Sequence, residues 1–204
     1  MTIHLRAMVS SVIHPKAAFT KIAKDATLKD GAILMLAFTA LGTLYSFGIQ
    51  YLLAPVFISA TSILISIPLG ILSFFMTGLL IHLFAQAFDG KGTFSRTLGC
   101  IGHAEFAGLV VNIALTPVAI FALAVIYSTT PGTALLITIL AVAAIAALVY
   151  SLTIYGSATS AAHNISRGKG IAAAFLGLLV SGILVAGVSF MLSLLMPVAK
   201  LAGA

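Results

Sequence analysis

Five stretches of this chain are long and apolar enough to cross a lipid bilayer, and no other feature constrains the fold as tightly. They run over residues 31–54, 56–88, 101–127, 134–162 and 171–198. A hydrocarbon core about 30 Å thick takes about 20 residues of apolar helix. The expected fold is therefore an all-α, polytopic membrane helical bundle with five transmembrane helices over 31–204, preceded by amphipathic interfacial helices over 1–30. Composition agrees, since 61% of the 204 residues are hydrophobic and 7% are charged. The 56–88 run exceeds what one perpendicular helix needs, and Pro68 with Gly70 inside it predicts a tilt or a kink.

The ten Lys and Arg set the topology. Arg6, Lys16, Lys21, Lys24 and Lys29 precede the first run, Lys91 and Arg96 lie between the second and third, and Arg167 and Lys169 between the fourth and fifth. Only Lys200 falls elsewhere, so nine of ten positive charges share one side, which the positive-inside rule makes cytoplasmic. The N-terminus is expected in the cytoplasm and the C-terminus on the opposite side. A net charge of +6 does not imply nucleic acid as a partner, because the cations never form a stripe interleaved with aromatics. The first thirty residues are charged throughout and hold no uninterrupted apolar core, so no cleaved leader is expected and the first span serves as the start signal. Cys100, the single cysteine, cannot form an internal disulfide and reads as a small buried hydrophobe.

Within 1–30, Leu5, Met8, Val9, Val12 and Ile13 recur at helical spacing. Pro15 interrupts, and Ala18, Phe19, Ile22, Ala23 and Ala26 form a second apolar stripe with Lys16, Lys21, Lys24 and Asp25 off it. Pro15 suits the first turn of the second helix. The two short helices either lie in the membrane interface with their basic side toward anionic head groups or cover the end of the bundle. Asp30 is placed to cap the first span.

Two connections repeat a pattern. Gly90-Lys91-Gly92 follows the second span and Gly168-Lys169-Gly170 the fourth, each accompanied by an arginine, Arg96 or Arg167, and each leading into a helix. Glycines let consecutive N–H groups turn toward an anion, and the following helix N-terminus adds partial positive charge. Either loop is a candidate cradle for a lipid phosphate; the plain alternative is a tight turn whose cations fix the topology. Neither is a nucleotide P-loop, because Gly-x-x-x-x-Gly-Lys-Ser/Thr is absent. The recurrence hints that the two connections are related by duplication.

Glu105 is the sharper anomaly. Counted inward from Arg96 at about 1.5 Å per residue, it lies roughly 13 Å deeper, where a charge costs about 2.5 kcal/mol or more. It must be neutral, paired or wet. His82, His103, Asn112 and His163 are the other polar side chains expected near this depth. Glu105 and Asn112 share one helix stripe, whereas His103 is about 200° around the helix from Glu105. Two readings stay open. Glu105 is a structural anchor bonded to His82 or His163 on a neighbouring helix, or Glu105 and Asn112 line a hydrated cavity whose histidines take protons or a transition metal. A single carboxylate at depth weighs against conduction, although a homo-oligomer would supply a ring of them.

No catalytic residue, metal site or cofactor is expected. Gly102-His103-Ala104-Glu105-Phe106 is not His-Glu-x-x-His, and Gly156-Ser157 with His163 lacks the flanks of a serine nucleophile elbow. Small residues recur every four positions at Ala173, Gly177 and Ser181, at Gly156 and Ser160, and at Ala158 and Ala162. They predict close packing of the fourth span on the fifth, or of fifth spans between subunits.

The HPKAAFTKIA opening at 14–23, the five spans, FDGKGTF at 88–94 and HNISRGKGIAAAF at 163–175 together resemble the Yip1 domain family over nearly the whole chain, as a prokaryotic-type member. The resemblance implies a five-helix fold and a role as a membrane scaffold or trafficking factor acting through protein and lipid interactions. Eukaryotic members sit in the early secretory pathway, associate with one another, bind Rab-type GTPases and influence vesicle budding; prokaryotic relatives largely lack an assigned activity. This chain has no long acidic N-terminal region and no Asp-Leu-Tyr motif, so GTPase binding is not carried over. The expected partners are membrane lipids, anionic ones included, and a second copy or another membrane protein. The alternative reading is a cation or proton channel or transporter centred on Glu105.

Overall fold

The computed structural model describes residues 5–53, 60–128 and 133–202. Two short helices, α1 (Leu5–Ile13) and α2 (Pro15–Asp25), precede five long ones: α3 (Leu28–Leu53), α4 (Ala60–Ala87), α5 (Phe94–Ser128), α6 (Thr133–His163) and α7 (Arg167–Ala202). Each long helix carries a segment of the length and hydropathy needed to cross a membrane. The start of the second expected span, 56–59, lies outside the described residues. Helix α4 continues through Pro68, and α5 through Pro117.

The third and fifth spans begin earlier than their apolar runs, at Phe94 and Arg167 rather than 101 and 171. Hydropathy marks only the part of a helix that sits in lipid, whereas capping hydroxyls set where the helix starts. The Arg96 N–H donates to Thr93 Oγ1 at 3.3 Å and the Lys169 N–H to Ser166 Oγ at 3.4 Å. At α3 the Asp30 N–H donates to Thr27 Oγ1 at 3.2 Å, and the Thr27 hydroxyl donates to Asp30 Oδ2 at 2.8 Å. Thr27 is thus the N-cap of α3, and Asp30 is not. Asp30 sits in the first turn, where the N-terminal dipole favours a negative charge.

Helices α4 and α6 end alike. Asp89 (φ 67°) and Asn164 (φ 56°) take the left-handed conformation just past the last turn. The Gly90 N–H reaches back to the Ala85 carbonyl at 2.9 Å and the Ile165 N–H to the Ser160 carbonyl at 3.2 Å. These six-to-one bonds define Schellman caps with Asp and Asn in the place usually held by glycine. The two connections that resemble each other in sequence therefore share their local geometry as well.

Around the bundle the long helices follow the order α3, α5, α6, α7, α4, with α4 returning to α3 and also touching α5. Small residues decide the tightest crossings, because side-chain-free backbones approach most closely. Gly102 of α5 faces Gly31 of α3: a Cβ on Gly102 would come within 2.6 Å of the Gly31 Cα. Gly170 of α7 sits on Ser160 of α6, and Gly156 on Ile171. The Ala173, Gly177 and Ser181 stripe turns elsewhere. It meets α4, where Gly177 lies on the Ile81 backbone and the Ser181 and Thr77 hydroxyls share a 2.6 Å hydrogen bond. The fourth and fifth spans do pack together, but through Gly156, Ser160 and Gly170 instead of that stripe.

The core occupies the half of the bundle nearest the basic loops. Ile81, Leu98, Ile101, Ala104, Ile154, Ala158, Ala162 and Ala174 are buried there together with Cys100. Helix α2 lies across α6 and α5 with Ala18, Phe19, Ile22 and Ala23 buried. Its apolar stripe covers the end of the bundle. In contrast, Val9 and Ile13 of α1 are exposed, as are Leu36, Leu41, Leu44, Val142, Ile145, Leu148, Ile183 and Phe190 farther along the spans, positions that lipid would solvate.

Candidate functional site

Polar side chains gather at three places. The first joins α4, α5 and α6 at the basic end. Thr97 lies in the first turn of α5, His82 near the end of α4 and His163 at the last position of α6. Thr97 Oγ1 is 2.8 Å from His163 Nε2 and 3.2 Å from His82 Nδ1, and the two ring nitrogens are 3.3 Å apart. The Thr97 hydroxyl donates to the Thr93 carbonyl at 3.0 Å, so its oxygen accepts from His163 Nε2–H. His163 Nδ1 is then a bare acceptor, buried and without a hydrogen-bond partner among the described residues.

The two Gly-Lys-Gly segments meet at this joint. The Lys91 N–H donates to the His163 carbonyl at 3.0 Å, and Lys169 Nζ donates to Asp89 Oδ2 at 2.9 Å and to the Phe88 carbonyl at 3.3 Å. The Lys169 ammonium holds the Asp89 carboxyl below the ordinary carboxylate value of 3.8, first by that hydrogen bond and then by its charge. Three of the four glycines are packed against crossing chain. A Cβ on Gly90 would come 2.7 Å from His163 Nδ1, one on Gly92 3.0 Å from the His163 Cα, and one on Gly170 2.8 Å from the Ser160 Cβ. They are small because chains cross there. Of the four loop glycines, Gly168 is the one that faces open space.

The second place surrounds Glu105. Its partner is Tyr155 of α6, whose hydroxyl donates to Glu105 Oε1 at 2.6 Å; it is neither His82 nor His163. The histidines meet Thr97, which stands eight residues nearer the basic end of α5, about 12 Å along the helix. His103 is fully buried and its Nδ1–H donates to the Gly99 carbonyl at 2.8 Å, on a different face from Glu105. Glu105 and Asn112 do share a cavity of about 320 Å³ between α3, α5 and α6, together with Thr39, Ser151 and Tyr155. It continues past Asn112 into a second cavity of about 390 Å³ lined by Tyr45, Ser46 and Thr116. Toward the basic end the cleft stops: buried Ile101, Ala104 and Ala107 and the contact of Gly31 with Gly102 fill the bundle there.

The third place is a cavity of about 550 Å³ beneath α2. Lys16, Thr20 and Ala23, spaced i, i+4, i+7 on one face of α2, form one wall, and Ser157, Ser160 and Ala161 of α6 with Asn164 just past its end form another. Arg96 and Arg167 complete it. Arg96 is fixed by its Nε–H, which donates to the Ala23 carbonyl at 2.5 Å. Of the residues expected at a phosphate site, Arg96 and Arg167 thus come together, while Lys91 and Lys169 belong to the neighbouring joint. Lys16, Thr20, Ser157 and Ser160 join them through tertiary contact. The only trace in the sequence is the i, i+4 pairing of Lys16 with Thr20.

A bundle of five membrane-spanning helices, closed at its basic end by α2 and by two interlocked loops, defines a polytopic integral membrane protein. The Yip1 domain matches residues 9–189 of this chain. The protein belongs to the Yip1 family. No curated protein and no solved structure matches it.

Proposed function

We propose that this protein is a membrane scaffold that works without turnover, with its basic end in the cytoplasm and its C-terminus on the opposite side. It organises membrane by presenting that end to lipids and to a second copy or another membrane protein. The observation that carries the reading is the pairing of Glu105 with Tyr155 at the blind end of its cleft. A carboxyl that receives a hydrogen bond from the adjacent helix ties α5 to α6, and a cleft closed on one side offers no continuous wet path. The polar joint of His82, Thr97 and His163 is read in the same way, as a fastening between three helices.

Flux through purified protein in liposomes tests this. Wild type and Glu105→Gln are both expected to match empty liposomes for protons and monovalent cations, from about pH 5 to about pH 8, the range in which imidazoles titrate. Flux above that background which disappears in Glu105→Gln would replace the scaffold with a channel or transporter built on the Glu105 and Asn112 cleft.

A further inference from the structure

We infer that the cavity under α2 is a binding site for a phosphate-bearing anion, held by Lys16, Arg96 and Arg167. The inference goes beyond the scaffold reading and stands whether or not anything permeates the protein. It begins with charge. Three cations from three separate elements, α2, α5 and α7, line one cavity, and among the described residues no carboxylate does. The chain has only four acidic residues. Asp89 is engaged by Lys169, Glu105 by Tyr155 and Asp30 by Thr27, and Asp25 is not part of the lining. Arg96 is partly buried while Lys16 and Arg167 are exposed at the rim, and like charges gathered around one cavity repel unless an anion offsets them.

The chemistry of the lining selects phosphate. Arg96 uses its Nε–H on the Ala23 carbonyl, which fixes the guanidinium plane and leaves its terminal nitrogens to form a fork toward the cavity, the geometry that suits phosphate oxygens. Asn164, just past the end of α6, supplies a neutral amide donor, whereas the Ser157 and Ser160 hydroxyls donate to the Thr153 and Ile165 carbonyls at 2.7 and 2.6 Å and line the wall as polar, uncharged surface. The N-terminus of α7, capped by Ser166 at the rim, adds partial positive charge. Size argues against a bare ion: about 550 Å³ falls in the range of small-molecule sites, about 300–1,000 Å³. From Asn164 down to Ser157 the wall descends about 10 Å along α6, so the phosphate carries a larger polar group. Two sources have this chemistry, the head group of an anionic phospholipid entering sideways from the bilayer and a soluble phosphate ester entering from the water.

The test uses the purified full chain in a neutral detergent and measures binding by native mass spectrometry and by thermal shift. The probes are phosphatidylglycerol, phosphatidylcholine, glycerol 3-phosphate and inorganic phosphate. Lys16→Gln with Arg167→Gln is the principal variant, because both residues are exposed, and Arg96→Lys keeps the charge while removing the fork. Lys21→Gln with Lys24→Gln, on the adjoining surface of α2, removes the same amount of charge outside the cavity. Phosphatidylglycerol is expected to bind at least tenfold better than phosphatidylcholine, and that preference to fall at least tenfold in the first variant and in Arg96→Lys but not in the third. Equal retention by glycerol 3-phosphate would support the site and assign it to a soluble ester. A preference that survives Lys16→Gln with Arg167→Gln, or falls equally with Lys21→Gln and Lys24→Gln, overturns the inference and leaves only diffuse surface attraction.

Discussion

Tyr155 and Glu105 illustrate how one hydroxyl sets the condition of a carboxyl within the membrane. Removing the donor by Tyr155→Phe is expected to lower stability by about 1–3 kcal/mol, the usual consequence of leaving a buried polar group unsatisfied. Glu105→Gln should do less, because an amide oxygen accepts the same hydrogen bond. Thermal unfolding in one fixed detergent separates the two, and equal shifts would show that the hydroxyl is not what holds Glu105. At the exposed pair, Asp89 has a folded pKa below its ordinary 3.8. Its contribution is therefore complete above that pH and is lost as pH falls through the lower folded value. With the Asp89 side chain 87% exposed, the effect is small and screened by salt. Unfolding temperatures followed below about pH 5 should show a shallower acid limb in Asp89→Asn than in wild type, with the difference vanishing in about 1 M salt. The sequence marks Glu105 as anomalous from its depth alone. It does not mark Tyr155, because a tyrosine in an alanine-rich helix becomes a partner only once the neighbour and register of α5 are fixed.

For helices, the information lies in the smallest residues. Gly177→Leu places a branched side chain where even a Cβ comes 2.8 Å from the Ile81 backbone nitrogen, so α7 must move off α4. Gly102→Ala forces α5 from α3 in the same manner. Overpacking of this kind costs about 1–3 kcal/mol, and the leucine is expected at the upper end or beyond it; unchanged unfolding temperature and unchanged migration in mild detergent would contradict both. Gly42→Ala, where a Cβ meets nothing, is the control and should be neutral. The number and order of the spans were legible because bilayer thickness demands long apolar runs. Which helices touch was not, since the lipid-facing and helix-facing sides of such runs are nearly equally apolar. Ala173, Gly177 and Ser181 announced a contact in sequence but not that its other side was α4.

Across the molecule, the basic end is knit, and among the described residues the spans become more exposed farther from it. Orientation is testable in intact cells of an expression host. In a Cys100→Ala background, Lys24→Cys is expected to resist a membrane-impermeant maleimide until the membrane is opened, because the positive-inside rule puts that end in the cytoplasm. Immediate labelling would reverse the topology. The knit end also has a consequence for how the protein is made. Asp89 meets Lys169 at a sequence separation of 80, and His82 meets His163 at 81. At about 5–20 residues per second of synthesis, the first loop waits several seconds for its partners, with α4 and α5 already inserted. During that interval the nascent chain offers an unfinished basic edge to whatever attends its insertion, and emergence of the α6–α7 loop is the event that closes it.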